Sequence, residues 1–228
     1  MAKNEVTTKK KEKPGVIVIN ATKKIVLAVI SAIVGAVCGG GVIGSIAGTA
    51  VATTITTGEQ LIERYKARKQ EKAERALIRA MVADKIDDHD LIEKLGADEK
   101  KADVIFMLLK QAAELDSSFE QTIANLIRAA LNTEQDEDLD LIEEIIRSLS
   151  DLRNIHLRVL KAIGDAGGEL SPEGIAEATN YGQVELRSVV RKLELDGMIE
   201  WVENDPRGEI WRLREFGIAI VNFIYKGE

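Results

Sequence analysis

Residues 25–58 contain no charged side chain, and this feature constrains the fold of the chain most strongly. A helix needs about 20 apolar residues to cross a bilayer, so the segment is long enough to do so. Burying so long a neutral stretch in a small soluble domain is difficult, and its glycines are poor helix formers in water. A cleaved signal fits poorly, because the basic region before the apolar run is long. We therefore predict that residues 25–58 lie in a membrane.

Small residues recur at every fourth position of this segment. Spacing by four places side chains on nearly one stripe of a helix, where alanine or glycine lets a second backbone approach closely. This pattern is typical of membrane helices that associate, and it predicts a homo-oligomer in contact with lipid. The stripe, called the Ala/Gly stripe below, consists of Ala28, Ala32, Ala36, Gly40, Gly44, Gly48 and Ala52.

Two arrangements of the neutral segment fit a bilayer. A single helix over residues 25–57 would be about 50 Å long, whereas the hydrocarbon core is about 30 Å thick. A hairpin that turns at residues 39–41 gives two arms of about 22 Å each, which are slightly short. Both flanks are basic, and the positive-inside tendency favours the hairpin because it keeps both flanks in the cytoplasm. The flanking cations are Lys23, Lys24, Arg64, Lys66, Arg68 and Lys69.

The character of the sequence changes on either side of this segment. Residues 1–24 form a polar, basic tail. Residues 59–82 read as a charged helix whose apolar positions are too sparse for burial, which predicts a solvated stalk. Over residues 83–150 apolar residues return at helical spacing, separated by capping and loop residues. This region is predicted to be a helical bundle of three or four short helices.

Residues 151–228 predict three helices followed by a β-hairpin. Ser171 and Pro172 suit the first positions of the second helix, since serine caps and proline fits the first turn. After the third helix, residues 198–202 and 209–213 alternate as strands do around a dense turn sequence. This order resembles a winged helix-turn-helix domain. The overall prediction is a mainly α protein with a membrane segment, a helical bundle and a C-terminal winged helix that carries a small β-hairpin.

The winged-helix resemblance implies a surface for DNA or for a protein partner. Residues 151–228 contain ten Lys/Arg and fourteen Asp/Glu, a net charge of −4, and the whole chain has a net charge of −7. A negative domain attracts phosphates poorly, so DNA is disfavoured and a protein partner is preferred. The candidate contacts for nucleic acid or a partner are Gln183, Arg187, Ser188, Arg191, Lys192 and Arg207.

A second resemblance spans the bundle and the C-terminal domain. A helical segment at residues 119–131, an acidic loop, an Ile/Leu-rich helix, the winged-helix pattern and a closing LREFG sequence follow one another. In LREFG the residues Leu213, Phe216 and Gly217 carry the similarity. This order is similar to that of the alpha-type abortive-infection proteins of bacterial phage defence. The resemblance implies a role in antiviral defence.

Residues that support catalysis or metal binding are scarce. A single cysteine excludes an internal disulfide and a zinc site built on paired cysteines. His156 lies among apolar helical positions, which indicates packing, and His89 lies in an acidic cluster typical of a helix N-cap. The acidic run at residues 136–140 begins like a calcium loop, but it lacks the required glycine and the final glutamate. We predict no catalytic residues, no metal site, no cofactor and no enzymatic activity.

Three functions follow as hypotheses. The leading one is a membrane-associated effector of phage defence that self-assembles through the Ala/Gly stripe and perturbs or permeabilises the membrane, with its C-terminal region in the cytoplasm. The bundle and the winged helix would control assembly through an unidentified protein partner or trigger. The second is a membrane-tethered winged-helix transcription regulator. The third is a structural component of a viral or membrane assembly.

Overall fold

The computed structural model of the chain describes residues 57–202 and 209–225. This part is mainly helical and contains one small antiparallel sheet of three strands, so the mainly α character predicted from the sequence is confirmed. The basic tail and all but the last two residues of the neutral segment lie outside the described residues. Among the residues described, no helix combines the length and the apolar character that crossing a bilayer requires.

The described chain begins with helices and ends with a mixture of helices and short strands. The first group comprises α1 (Thr57–Asp84), α2 (Asp88–Ala97), α3 (Glu99–Glu114), a 3-10 turn (Ser117–Phe119), α4 (Glu120–Asn132) and α5 (Asp136–Leu149). The second group comprises α6 (Asn154–Asp165), β1 (Glu169–Leu170), α7 (Pro172–Thr179), α8 (Gln183–Leu195), β2 (Ile199–Val202), β3 (Ile210–Leu213) and α9 (Glu215–Tyr225). Between residues 83 and 150, where the sequence predicts three or four helices, the structure has four α-helices.

Helix α1 corrects the prediction of a solvated stalk. Ala73, Ala76, Leu77 and Ala80 are completely buried, and α1 packs against α3 and α4. Alanine lets α1 approach its neighbours closely, so few apolar residues suffice to bury this half of the helix. Residues 64–68, in the first half, are exposed. The stalk prediction is therefore wrong for the second half of α1, which belongs to the core of the bundle.

Helix α9 joins the bundle to the C-terminal elements. It packs against α4, α5 and α6, and Asn125 Nδ2 donates a buried hydrogen bond of 2.6 Å to the carbonyl oxygen of Ile224. A Cβ added at Gly217 would lie 2.1 Å from the carbonyl oxygen of Met198, so only glycine allows α9 to come this close to the start of β2. One continuous hydrophobic core consequently extends across the boundary that the sequence predicts at residue 150.

The sheet has the order β1-β3-β2, with both pairs antiparallel. The predicted hairpin is present as β2 and β3, and Trp201 lies directly opposite Trp211 in its register. The short strand β1 is not foreseen from the sequence. Gly167 and Gly168, both with positive φ, turn the chain out of α6 and into β1. The hairpin, α7 and α8 together form the surface described next.

Candidate interaction groove

Helix α8 presents an exposed polar stripe. Gln183, Arg187 and Arg191 are exposed and follow one another at intervals of four residues, so they lie on the same side of the helix. The opposite side packs on α6, α7 and β2. The apolar pattern of this helix predicts burial of Val184 and Leu195, but they are 84% and 71% exposed because they flank the buried stripe at the two ends of the helix. The buried residues of α8 are Leu186, Val189, Val190 and Leu193.

A groove lies between α8, the start of α7 and the hairpin. Its volume is about 970 Å³. The rings of Trp201 and Trp211 meet edge to face, with their centroids 5.0 Å apart and their planes at 72°, and both line the groove. Aromatic pairs in this geometry are large apolar anchors for a ligand or a partner. The aliphatic residues of the lining are Ile175, Leu186, Val190 and Ile199.

Charged residues of both signs surround this apolar lining. Arg191 Nη1 lies 2.7 Å from Glu194 Oε2, and Arg214 Nε lies 4.0 Å from Glu200 Oε2. Arg187 has no carboxylate partner among the described residues. Among the described residues, the lining holds three arginines and four glutamates, a net charge of −1, so this part of the groove is slightly acidic rather than basic. The four carboxylates are Glu173, Glu194, Glu200 and Glu209.

The structure brings together only part of the predicted contact set. Gln183, Arg187 and Arg191 line the groove, whereas Ser188 and Lys192 lie outside it. The Ser188 hydroxyl donates to the carbonyl oxygen of Glu185 at 3.1 Å, and Lys192 Nζ pairs with Asp196 Oδ2 at 2.8 Å. Arg207 and the whole Ala/Gly stripe, from Ala28 to Ala52, lie outside the described residues, so these predictions are untested.

Sequence reasoning missed the aromatic part of the groove. Trp201 and Trp211 are the two tryptophans of the chain, and both line the groove. The signal was available, because the two predicted strands alternate and a hairpin centred on the turn at residues 204–208 places both rings on one face. Glu173 and Arg214 gave no comparable signal, since their position in the groove depends on how α7 and β3 pack.

A row of polar contacts holds α1 against the bundle. Lys69 Nζ lies 2.5 Å from Glu114 Oε1, and Lys72 Nζ donates to the carbonyl oxygen of Leu115 at 2.8 Å. Both cations lie at the C-terminal end of α3, where the helix dipole favours positive charge. At the far end of α1, Asp84 Oδ1 lies 2.7 Å from Arg128 Nη2. These contacts lie along the helix that follows the neutral segment.

Glu120 is the centre of this row. Its side chain is 8% exposed and lies at the N-terminus of α4, where a carboxylate is also favoured. Arg75 Nε donates to Glu120 Oε2 at 3.0 Å. Arg79 Nε lies 2.9 Å from Glu120 Oε1, but not in hydrogen-bonding geometry, so this second contact is electrostatic only. One buried carboxylate thus binds two cations of α1.

The residues considered for catalysis or metal binding have structural roles. His156 is buried, its Nδ1 accepts a hydrogen bond of 2.7 Å from the backbone N–H of Arg153, and burial lowers its pKa, helped by the nearby charges of Arg153 and Lys192. The acidic cluster around His89 forms a capping box at the start of α2. The acidic run at residues 136–140 forms the first turn of α5. No group of three or more potential metal ligands occurs among the described residues.

Comparison of the whole chain with protein-family models, curated proteins and solved structures finds no match.

Proposed function

We propose that the chain is a non-enzymatic, membrane-associated effector that self-assembles through the Ala/Gly stripe and perturbs the membrane. The observation that carries the proposal is the direct continuation of the neutral segment into α1. This helix begins at Thr57, and its second half is buried in the bundle. Because a buried helix transmits displacement along its axis, a change in the bundle reaches the neutral segment through α1.

The first half of α1 suits the surface of a membrane. Arg64, Lys66 and Arg68 are exposed, and no ion pair occupies them within the described residues. Cations next to an apolar segment are attracted to anionic headgroups and favour the cytoplasmic side. Tyr65, which is 59% exposed, belongs to the residue types enriched at membrane interfaces. In this proposal the bundle and the C-terminal elements lie in the cytoplasm, close to the bilayer.

The C-terminal elements form the controlling part of the effector. Their order of helices and hairpin supports the interpretation as a winged helix, with α8 in the position of the recognition helix and β2 and β3 as the wing. The groove beside α8 is the proposed site for the partner or trigger, since its apolar lining and mixed charges suit a protein segment better than a phosphate backbone. Together with the similarity to abortive-infection proteins, this arrangement supports a role in phage defence.

Replacing glycines of the Ala/Gly stripe tests the proposal. Leucine at Gly40, Gly44 and Gly48 keeps the segment apolar but prevents close approach of two backbones. We expect this variant to enter membranes, to lose the oligomers that cross-linking detects in the wild type, and to lose any growth arrest on expression. Unchanged oligomers together with unchanged growth arrest would refute assembly through the stripe.

A matched control changes residues of the same segment outside the stripe. Ile43→Leu and Ile46→Leu change the shape of two large side chains but add no bulk to the Ala/Gly stripe. We expect this control to form oligomers and to arrest growth as the wild type does. If the control and the glycine variant behave alike, the effect belongs to hydrophobic composition and not to close packing.

A membrane-tethered transcription regulator is the alternative, and the exposed stripe of α8 favours it. Gln183, Arg187 and Arg191 are residue types that contact base edges and phosphates. The alternative predicts salt-sensitive binding of duplex DNA by the full chain, weakened when Arg187 and Arg191 become alanine. The full chain is needed because α9 shares its core with the bundle. Absence of binding at low salt would eliminate this function.

A further inference from the structure

The groove beside α8 combines three properties that define its ligand. Its apolar surface comes from two half-buried tryptophans, because the four aliphatic residues of the lining are already buried, and this surface suits an apolar segment. Four carboxylates and three arginines surround this surface, and among the described residues Glu173, Glu209 and Arg187 have no partner of opposite charge, so the unpaired charge is acidic by one. Glu173 and Glu209 are also exposed, so they are available to a ligand. The ligand with matching chemistry is a short peptide that is both apolar and cationic.

The N-terminal tail of this chain has that chemistry. Residues 1–24 contain seven lysines and two glutamates, a net charge of +5, opposite in sign to the −4 of residues 151–228. Lys9, Lys10, Lys11 and Lys13 precede four consecutive β-branched residues at positions 16–19. Valine and isoleucine favour an extended backbone, which presents apolar side chains to a groove at little cost in conformational entropy.

We propose that residues 9–19 bind in the groove of the same chain. The β-branched residues at positions 16–19 contact the tryptophan pair, and the preceding lysines face Glu173 and Glu209. Apolar burial supplies most of the affinity, and the charges select orientation and speed association. Duplex DNA and a second protein are thereby competitors for the groove rather than its resident ligand.

The proposal rests on the proposed membrane function in one respect, which is topology. A tail that reaches the groove must lie on the same side of the membrane as α8. A hairpin in the neutral segment satisfies this condition, whereas a single span places residues 1–24 across the bilayer. Binding of the tail in the intact chain therefore also selects the hairpin.

Tryptophan fluorescence tests occupancy directly, because both tryptophans of the chain line the groove. The four-serine variant carries Val16→Ser, Ile17→Ser, Val18→Ser and Ile19→Ser in the full chain. In lipid vesicles its tryptophan emission should shift to longer wavelength, and its quenching by acrylamide should increase. The matched control replaces exposed apolar residues elsewhere, Val82→Ser and Ile92→Ser, and should change neither signal. Identical emission and quenching in the wild type and the four-serine variant, with unchanged circular dichroism, would overturn the proposal.

A labelled peptide tests the charges. A dansyl-labelled peptide of residues 7–20, added to the full chain that carries the four serines, should bind and accept energy from the two tryptophans. Glu173→Gln with Glu209→Gln should weaken this binding by about threefold to tenfold, as expected for the loss of two exposed ion pairs. The control pair Glu134→Gln and Glu144→Gln lies on exposed positions outside the groove and should leave binding unchanged. Equal affinities for the peptide in the four-serine protein and in its two glutamine variants would contradict the role of Glu173 and Glu209.

Further measurements separate this proposal from the membrane proposal. If the peptide binds but the chain does not float with vesicles, the tail site stands and the membrane function fails. If the chain floats but neither fluorescence nor the peptide responds, the tail proposal fails alone. A groove that binds duplex DNA but not the peptide would also overturn the tail proposal and favour the transcription regulator.

Discussion

Helices α1 and α8 are both rich in charge, and the sequence predicts exposed cations on both. In the structure, Arg75 and Arg79 of α1 contact one buried carboxylate of α4. The cations of α8 behave otherwise, because within the described part of the chain Arg191 and Lys192 pair with residues on or just beyond their own helix. The charge content of a helix therefore does not reveal its role. The partners decide whether a cation holds the fold together or remains available to a ligand.

The buried apolar residues of the two helices differ in size and in partners. On α1, small residues such as Ala73 and Ala76 are completely buried against α3 and α4. On α8, larger residues such as Leu193 pack on α6, α7 and β2, while Arg187 and Arg191 line the groove. We therefore interpret α1 as the structural link between the neutral segment and the bundle, and α8 as one wall of a binding groove.

Truncation of Leu77 gives the largest expected effect. This residue of α1 is completely buried, so Leu77→Ala should lower the free energy of unfolding by about 2–5 kcal/mol, through lost burial and a residual cavity. Urea denaturation measures the change. Val82→Ala, at a 71% exposed position of the same helix, is the control and should change stability by less than about 0.5 kcal/mol. A small loss of stability in Leu77→Ala would mean that this part of α1 is solvated, as the stalk prediction had it.

Glu120→Gln tests the polar contacts of α1. The change removes the anion shared by Arg75 and Arg79, whose side chains are 42% and 52% exposed. Because water screens the two arginines, we expect a loss of only about 1 kcal/mol in the free energy of unfolding. Glu71→Gln removes an exposed partner of Arg75 on the same helix and should have a smaller effect. Equal losses in the two variants would mean that the buried position of Glu120 is unimportant.

His156 is a buried residue of α6, the helix against which α8 packs, and it makes the stability of this region depend on pH. Burial, then the charges of Arg153 and Lys192, lower the pKa of this side chain below its ordinary value of 6.5, while Asp196 opposes the shift. The unfolded chain therefore takes up a proton before the folded chain does as the pH falls. The free energy of unfolding is highest where His156 is neutral and decreases as the pH falls below about 6.5.

Urea midpoints above and below this pH measure the effect. His156→Gln should reduce the difference between the two midpoints, whereas His89→Gln, at an exposed position, should leave it unchanged. A pH dependence that survives in the His156 variant would show that another group is responsible.

Arg187→Ala should have the smallest effect on stability. The side chain is exposed and forms no ion pair with the described residues, so the free energy of unfolding should change by less than about 0.5 kcal/mol. The variant should instead change the affinity of the groove, which titration with the tail peptide or with duplex DNA measures. A loss of stability well above this limit would mean that α8 is held by its charges as α1 is.

Local patterns allowed much of the fold to be predicted. Ser171 before Pro172 specifies the start of α7, the capping box of Asp87 and Asp90 starts α2, and alternation around a turn specifies β2 and β3. These features depend on residues close together in sequence.

Other features depend on residues far apart in sequence and could not be predicted in this way. The role of Gly217 follows from the carbonyl of Met198, which lies opposite it only in the folded chain. Burial of α1 follows from alanines that read as neutral in a charged helix. In the groove, Arg187 and Arg191 are recognisable on α8, but Glu173 and Arg214 join them only through the packing of α7 and β3.

Membrane insertion of residues 25–58 can be measured by flotation of the purified full chain with lipid vesicles. We expect the chain to rise with the vesicles, to remain with them after washes with high salt and alkaline carbonate, and to form cross-linked oligomers there. A chain that stays in the aqueous fraction as a monomer, with residues 25–58 protected from protease without lipid, would contradict the membrane function and the effector proposed from it.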